Sequence, residues 1–296
     1  MPAHDLQTSF LALAAILALL PMLAAAFAPE HFRALPQRLP RMLRIAIPAL
    51  LCVPYALTAL AAGRMHPAWL AVYALLPVLI AWMSAQAAEA DPEQHGDWRD
   101  FLLLAGLGLA VDLRWLEPAW PHGLTAIGKM LLVDAGIYGF LGIRKLRDVG
   151  FDLRLRLRDV GHGLREFALY APLAIPLGLA LGFLRFHAVW PTPLHALAAY
   201  LFTFFFIAIP EELFFRGWIQ NLLERRVGRT PALLLTAVLF GLAHWNKRTV
   251  SFNWQYVLLA ALAGVFYGRA WRAGRRVGAS AITHATVDTV WSLWLR

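Results

Sequence analysis

The sequence predicts an all-α protein: a polytopic transmembrane helix bundle of about nine or ten spans. Three observations lead there. Hydrophobic residues make up 60% of the 296 residues and charged residues only 15%, against roughly 45–50% and about 25% in soluble domains. That apolar excess needs a solvent other than water. The apolar residues also come in runs, several of them near the roughly 17–25 residues that cross a bilayer as helix. Finally, the basic residues behind the net charge of +9 cluster in the connections between those runs, the pattern of membrane topology rather than of nucleic-acid binding.

Taken in order, the runs lie at 9–28, 45–62, 67–86, 166–184, 194–210 and 254–268, with weaker ones at 101–111, 124–143, 231–245 and 279–295. The first is expected to be a retained helix rather than a signal peptide, because residues 1–8 carry no Lys or Arg and a signal sequence wants a positive start. Cys52 is the only cysteine, so no intrachain disulfide forms, and it reads as a small apolar side chain. Arg33, Arg38, Arg41 and Arg44 fill the loop 29–44. The stretch 144–165 is rich in Lys and Arg, 225–229 holds three Arg and 269–276 holds four. With ten spans these loops share one side, which the positive-inside rule makes cytoplasmic, with both termini outside. The loop 87–100 shares that side but is acidic, with Glu89, Asp91, Glu93, Asp97 and Asp100.

The polar stretch 144–165 divides an N-terminal bundle of unknown role, 1–143, from a C-terminal core, 166–296. Within it, 151–158 alternate apolar and charged residues. Period two fits a strand, but a lone strand has no partner at a membrane surface, so an interfacial segment is expected. Two GxxxG patterns, Gly178/Gly182 and Gly264/Gly268, are read as helix-packing sites. In the N-terminal bundle Asp112, Lys129 and Asp134 are expected to form an internal charge-neutralising network. The histidines at 66, 95, 122, 162, 187 and 195 lie at connections and receive no role.

Ionisable groups at membrane depth are costly and mark function. In the C-terminal half they are Glu211, Glu212, Arg216, His244, His284 and Asp288. Glu212 and Arg216 are i,i+4 with the acid first, the favourable order for an ion pair. Glu211 stands about 100° round the helix from Glu212, so one carboxylate can be neutralised while its neighbour faces a cavity. His284 and Asp288 are also i,i+4. Glu211 lies 13 residues before Glu224 (224 − 211), and His244 lies 13 after Pro231 (244 − 231), so an antiparallel hairpin turning at 225–230 brings the two level. His284 lies only about five residues inside its own helix, about 8 Å at 1.5 Å per residue. It reaches that level if the hairpin tip protrudes, and Gln220, Asn221 and Glu224 are accordingly expected in water.

A carboxylate beside two imidazoles, with a cation nearby, is equipped for general acid–base work on water. The same Glu211, His244 and His284 can instead ligate zinc, with water as fourth ligand. There is no H-E-x-x-H and no G-x-S-x-G, which excludes an ordinary zincin and a nucleophile elbow.

The motifs "EELFFR", "FGLAH" and "HATVD", in this order, resemble the CPBP (Abi) family of intramembrane proteases, which includes the type II CAAX prenyl endopeptidases. The likeness covers about 195–296. It implies that Glu211 activates water with help from His244, that Glu212 and Arg216 support it, and that His284 and position 288 bind the scissile carbonyl and its oxyanion. The family's usual residue at 288 is Asn; an ionised Asp288 cannot donate a hydrogen bond and is expected to orient His284. Metal-dependent and metal-free glutamate mechanisms both remain open, so the only cofactor expectation is zinc. The implied partners are a membrane-embedded or lipid-anchored peptide, cut near its C-terminus, and membrane lipid, with no nucleic acid. The implied location is a bacterial inner membrane. Two rival readings use the same charges: a proton-coupled transporter, which wants two symmetric halves with broken helices, and a non-catalytic scaffold or immunity protein.

Overall fold

A computed structural model describes residues 3–187, 190–247 and 251–295, with the side chains of 3–6 left aside. Among the described residues there is no strand, and the helices fall into two compact units, Met1–Arg147 and Asp148–Arg296.

The first unit contains α1 (Ala3–Phe27), α2 (Pro29–Ala34), α3 (Arg41–Ala46), α4 (Cys52–Ala61), α5 (Pro67–Ala90), α6 (Trp98–Asp112) and α7 (Thr125–Ile137). A 3₁₀ turn joins α3 to α4, and α7 runs on as a π-helical turn to Ile143. Its core centres on aromatic rings. Tyr55 stacks on Tyr73 at 5.1 Å, and Trp120 meets both edge-on while donating its Nε1–H to the Tyr73 hydroxyl at 2.6 Å.

The acidic loop 87–100 has a structural explanation. Arg144 is buried, and its guanidinium is held by Asp91 (2.6 Å) and Asp100 (3.1 Å). Asp97 and Asp100 together form the capping box of α6, satisfying backbone N–H groups that a helix start leaves without partners. The expected Asp112–Lys129–Asp134 network does not form. Lys129 pairs with Glu117 at 3.1 Å. Asp134 is buried facing the backbone N–H of Met22 without reaching hydrogen-bond geometry. The reason is local: residues five apart stand about 140° apart on a helix and face different neighbours.

The second unit contains α8 (Leu157–Ala180), α9 (Pro193–Thr203), α10 (Ile209–Glu212), α11 (Asn221–Val227), α12 (Arg229–Leu242), α13 (Trp254–Gly274) and α14 (Val277–Trp294). Helices α9, α10 and α11 are one continuous run, linked by π-helical segments at Phe204–Ala208 and Leu213–Gln220. Helix α13 packs against α12 and α8, and α14 against α8 and α13. Gly264 and Gly268 serve the packing expected of them. A side chain at Gly264 would strike Ala237 of α12, and one at Gly268 would strike Leu233 and Gln220. Gly241 does the same from α12 against the Val257 carbonyl. Gly182 differs from expectation: with φ +69° and open space around it, it ends α8, while Phe183 and Leu184 donate back to the Gly178 carbonyl. That is a left-handed helix cap.

No strand forms at 151–158. Phe151 and Leu153 are buried, and α8 begins at Leu157. Arg276, which precedes α14, clamps the segment with Nε on Asp159 (2.8 Å), Nη1 near Asp152 (3.3 Å) and Nη2 on the Asp152 and Arg154 carbonyls. Val277 donates to the Gly150 carbonyl, Trp271 to that of Val149, and Arg225 pairs with Asp148. The basic stretches of this unit therefore share one end of it.

Among the described residues, five helical stretches are long and apolar enough to cross a membrane: Gln7–Phe27, Arg41–Ala61, Pro67–Ala90, Thr125–Ile143 and Pro193–Val227. The other expected runs are helical over most of their length, but their helices are shorter or less apolar. Helix α12, for example, has 14 residues.

Two expectations follow. Gly241→Ala should push α12 from α13 and lower stability by about 1–3 kcal/mol, seen as a lower thermal unfolding midpoint of the detergent-solubilised protein. Arg154 beside Asp152, with burial acting the other way and further backbone and Arg276 contacts, holds that carboxyl at about 2 against an ordinary 3.8. A depressed folded-state value stabilises above the unfolded one, so this contribution is complete above pH 4 and is lost as pH falls toward 2. Hydrogen exchange at 150–156 should accelerate over that window.

Candidate active site

Pro210 shapes the local backbone first. It has no N–H, and its ring crowds the carbonyl four residues earlier. The π turn Phe204–Ala208 opens the helix just before it, and Leu213–Gln220 opens it again just after Glu212. Such openings recur at functional sites. They frame "PEE" and set which way the two carboxylates leave the helix.

Glu212 is fully buried. Its Oε1 meets Nδ1 of His284 at 2.9 Å, its Oε2 lies 3.2 Å from Nε of Arg216, and the Ser280 hydroxyl donates to Oε2. Arg216, also fully buried, donates from Nη2 to the Gly264 carbonyl at 3.2 Å and lies over the rings of Phe240 (4.8 Å) and Tyr267 (5.5 Å). This aromatic cage stabilises a desolvated cation. His284 is stacked on Tyr267 at 4.6 Å and 16°, with Phe240 edge-on at 5.6 Å. Its Nε2 faces two further carboxylates, Asp288 at 3.5 Å and Glu211 at 3.9 Å. Glu211 is only part-buried as a side chain, yet its Oε2 is buried without a hydrogen-bond partner.

His244 stands apart from that cluster. It lies just past the end of α12, with Nδ1 2.8 Å from the Phe240 carbonyl. A carbonyl only accepts, so Nδ1 carries the hydrogen and Nε2 keeps a lone pair. The ring packs on Phe240 (4.9 Å) and Tyr256 (4.7 Å). No hydrogen bond or ion pair joins it to Glu211 among the described residues. The level hairpin fails to make that contact because the π turns break the 3.6-residue count and because His244 lies beyond its helix. His244, His284 and Asp288 nevertheless line one cavity of about 70 Å³, walled by Tyr256, Tyr267 and Trp291. That is room for a few waters.

Gln220, Asn221 and Glu224 are buried, not in water. Gln220 donates to Glu224, which Arg272 and Arg275 also pair with.

The site residues absent from the sequence reading are Ser280 and Tyr267. Ser280 is i−4 to His284, a signal that spacing carries. Tyr267 sits on a helix with no charged site residue and left none.

Residues 193–290, about a third of the chain, match the family model described as type II CAAX prenyl endopeptidase Rce1-like. This segment is similar to the Rce1-like family. All six charged or imidazole residues of the candidate site fall inside the Rce1-like segment, as do Ser280 and Tyr267. Together with the apolar helices, the match supports an integral multi-pass membrane protein with a segment similar to CAAX-type proteases. No curated protein and no solved structure matches the chain.

Among the described residues no group of three or more His, Cys, Asp or Glu is placed to hold a metal ion. Nδ1 of His244 is held by Phe240 and Nδ1 of His284 by Glu212, so Nε2 is the nitrogen each imidazole would offer to a ligand.

Removing one partner of a buried ion pair strands the other. Arg216→Met should cost about 3–5 kcal/mol of stability, read from denaturant unfolding in detergent. Adding Glu212→Gln to it should recover part of the loss.

Proposed function

We propose that the Rce1-like segment is an intramembrane endopeptidase that hydrolyses a peptide bond of a membrane-embedded or lipid-anchored substrate near its C-terminus. The observation that carries this reading is the division of labour between adjacent carboxylates: Glu212 is consumed by Arg216, His284 and Ser280, while Glu211 keeps an inward oxygen without a partner and close to His284. Glu211 takes a proton from water as its oxygen attacks the scissile carbonyl carbon. The carbonyl π pair moves to oxygen, and His284, oriented by Glu212 and Asp288, donates to that oxyanion. The tetrahedral intermediate then collapses. The C–N bond breaks, and the proton held by Glu211 passes to the departing amine. His244, with a free Nε2, accepts a hydrogen bond from the water and steadies its approach. The apolar walls of the cavity seat the substrate's side chains and exclude bulk water. The basic connections gathered at one end of the unit favour the cytoplasmic side for that end, and an inner membrane of a bacterial cell is the location we assign.

Glu211→Gln should fold and insert normally but cleave membrane peptides about 10²–10⁴-fold more slowly, the range a general base supplies. The measurement is mass spectrometry of products from candidate lipid-anchored peptides, wild type beside variant, with and without chelator. Undiminished cleavage by the variant removes the proposed base. Loss of wild-type cleavage on chelation, restored by zinc, replaces the glutamate mechanism with a metal one.

A further inference from the structure

The basic end of the second unit holds a recess that the proposed protease chemistry does not use. It measures about 230 Å³ and is lined by Arg165, Glu166, Arg229, Arg269 and Arg272. Glu166 is fully buried, with one oxygen taken by Arg165 (2.6 Å) and the other by Arg269 (2.7 Å). Both arginines leave about half of their side chains exposed. Arg272 is anchored on Glu224 and reaches the Arg229 carbonyl. The Arg229 guanidinium is exposed and has no partner among the described residues.

Four guanidinium groups thus surround a recess whose only lining acid is already shared by two of them. Like charges held this close repel, and the fold pins three of the four by separate contacts. An anion seated among them removes the repulsion. Guanidinium forks match phosphate oxygens in geometry as well as in charge. Helix α12, 14 residues long, also begins at this recess, and a helix start offers free N–H groups and a favourable dipole. The recess adjoins the start of α12 and the last turns of α13, and basic clusters beside membrane helices attract anionic lipid headgroups.

We propose that this recess is a phosphate site occupied by the headgroup of an anionic phospholipid. The assignment does not depend on the protease reading. The test uses the full chain in neutral detergent, titrated with short-chain phosphatidylglycerol, phosphatidylcholine of the same chain length and inorganic phosphate, followed by native mass spectrometry. Phosphatidylglycerol should bind in preference to phosphatidylcholine. Arg229→Gln, which breaks no internal contact, should weaken it about tenfold, as expected for one lost charge-assisted contact. Arg158→Gln, at an exposed position of α8 outside the recess, should leave it unchanged. Equal binding of the two lipids, no effect of Arg229→Gln, or an equal loss in Arg158→Gln would each overturn the site. Inorganic phosphate binding as tightly as phosphatidylglycerol would reassign the recess to free phosphate and overturn the lipid assignment.

Discussion

Glu212 organises the second unit because a carboxylate without water must find its partners in protein. Moving such an ion from water into a medium of low dielectric costs of order 20 kcal/mol before compensation. Its compensation comes from three directions: Arg216 one turn along, and His284 and Ser280 from α14. Arg216 in turn reaches the Gly264 carbonyl of α13. One charge therefore couples the long helix, α13 and α14. A shift of any of the three by a turn would leave a buried charge exposed to nothing.

The neighbouring Glu211 is the counterpart. Two adjacent helix positions diverge by about 100°, so a single segment can commit one acid to the interior and leave the other part-exposed, with one oxygen unpartnered near His284. The π turns on either side belong to the same arrangement, because they let Pro210 sit inside the helix at the position where the carboxylates diverge. The rings of Phe240 and Tyr267 complete it. They cap Arg216 and orient His284 through their ring faces.

Elsewhere the same rule of compensation explains features that look anomalous as text. The acids of 87–100 oppose the basic tone of a cytoplasmic loop, but two of them enclose Arg144 and one of these also caps α6. The alternating 151–158 segment resembles a strand, yet its one carboxylate, Asp152, and the carbonyls of Asp152 and Arg154 are collected by Arg276. Asp134 is the exception, a buried acid without a hydrogen bond. Much of this was legible in outline. Helical class and the apolar runs follow from composition, the hairpin turn before Pro231 from its basic connection, and the Glu212–Arg216 and His284–Asp288 pairs from i,i+4 spacing. What was misread depended on partners far along the chain: Gln220 and Glu224 inside rather than in water, Gly182 as a cap rather than a packing surface, and Lys129 turned to Glu117.

By itself the sequence determined what a single helix can know: that the chain is apolar and helical, that Glu212 and Arg216 share a face, and that His284 and Asp288 do. Periodicity is a local property, set by the rise and turn of one helix. Only the tertiary structure decided which of the two glutamates would be consumed, that Ser280 and Tyr267 would join the site, and that His244 would line the cavity without touching Glu211. Those outcomes turn on where helices cross and how π turns and small residues let them approach, and no count along one chain segment contains that information.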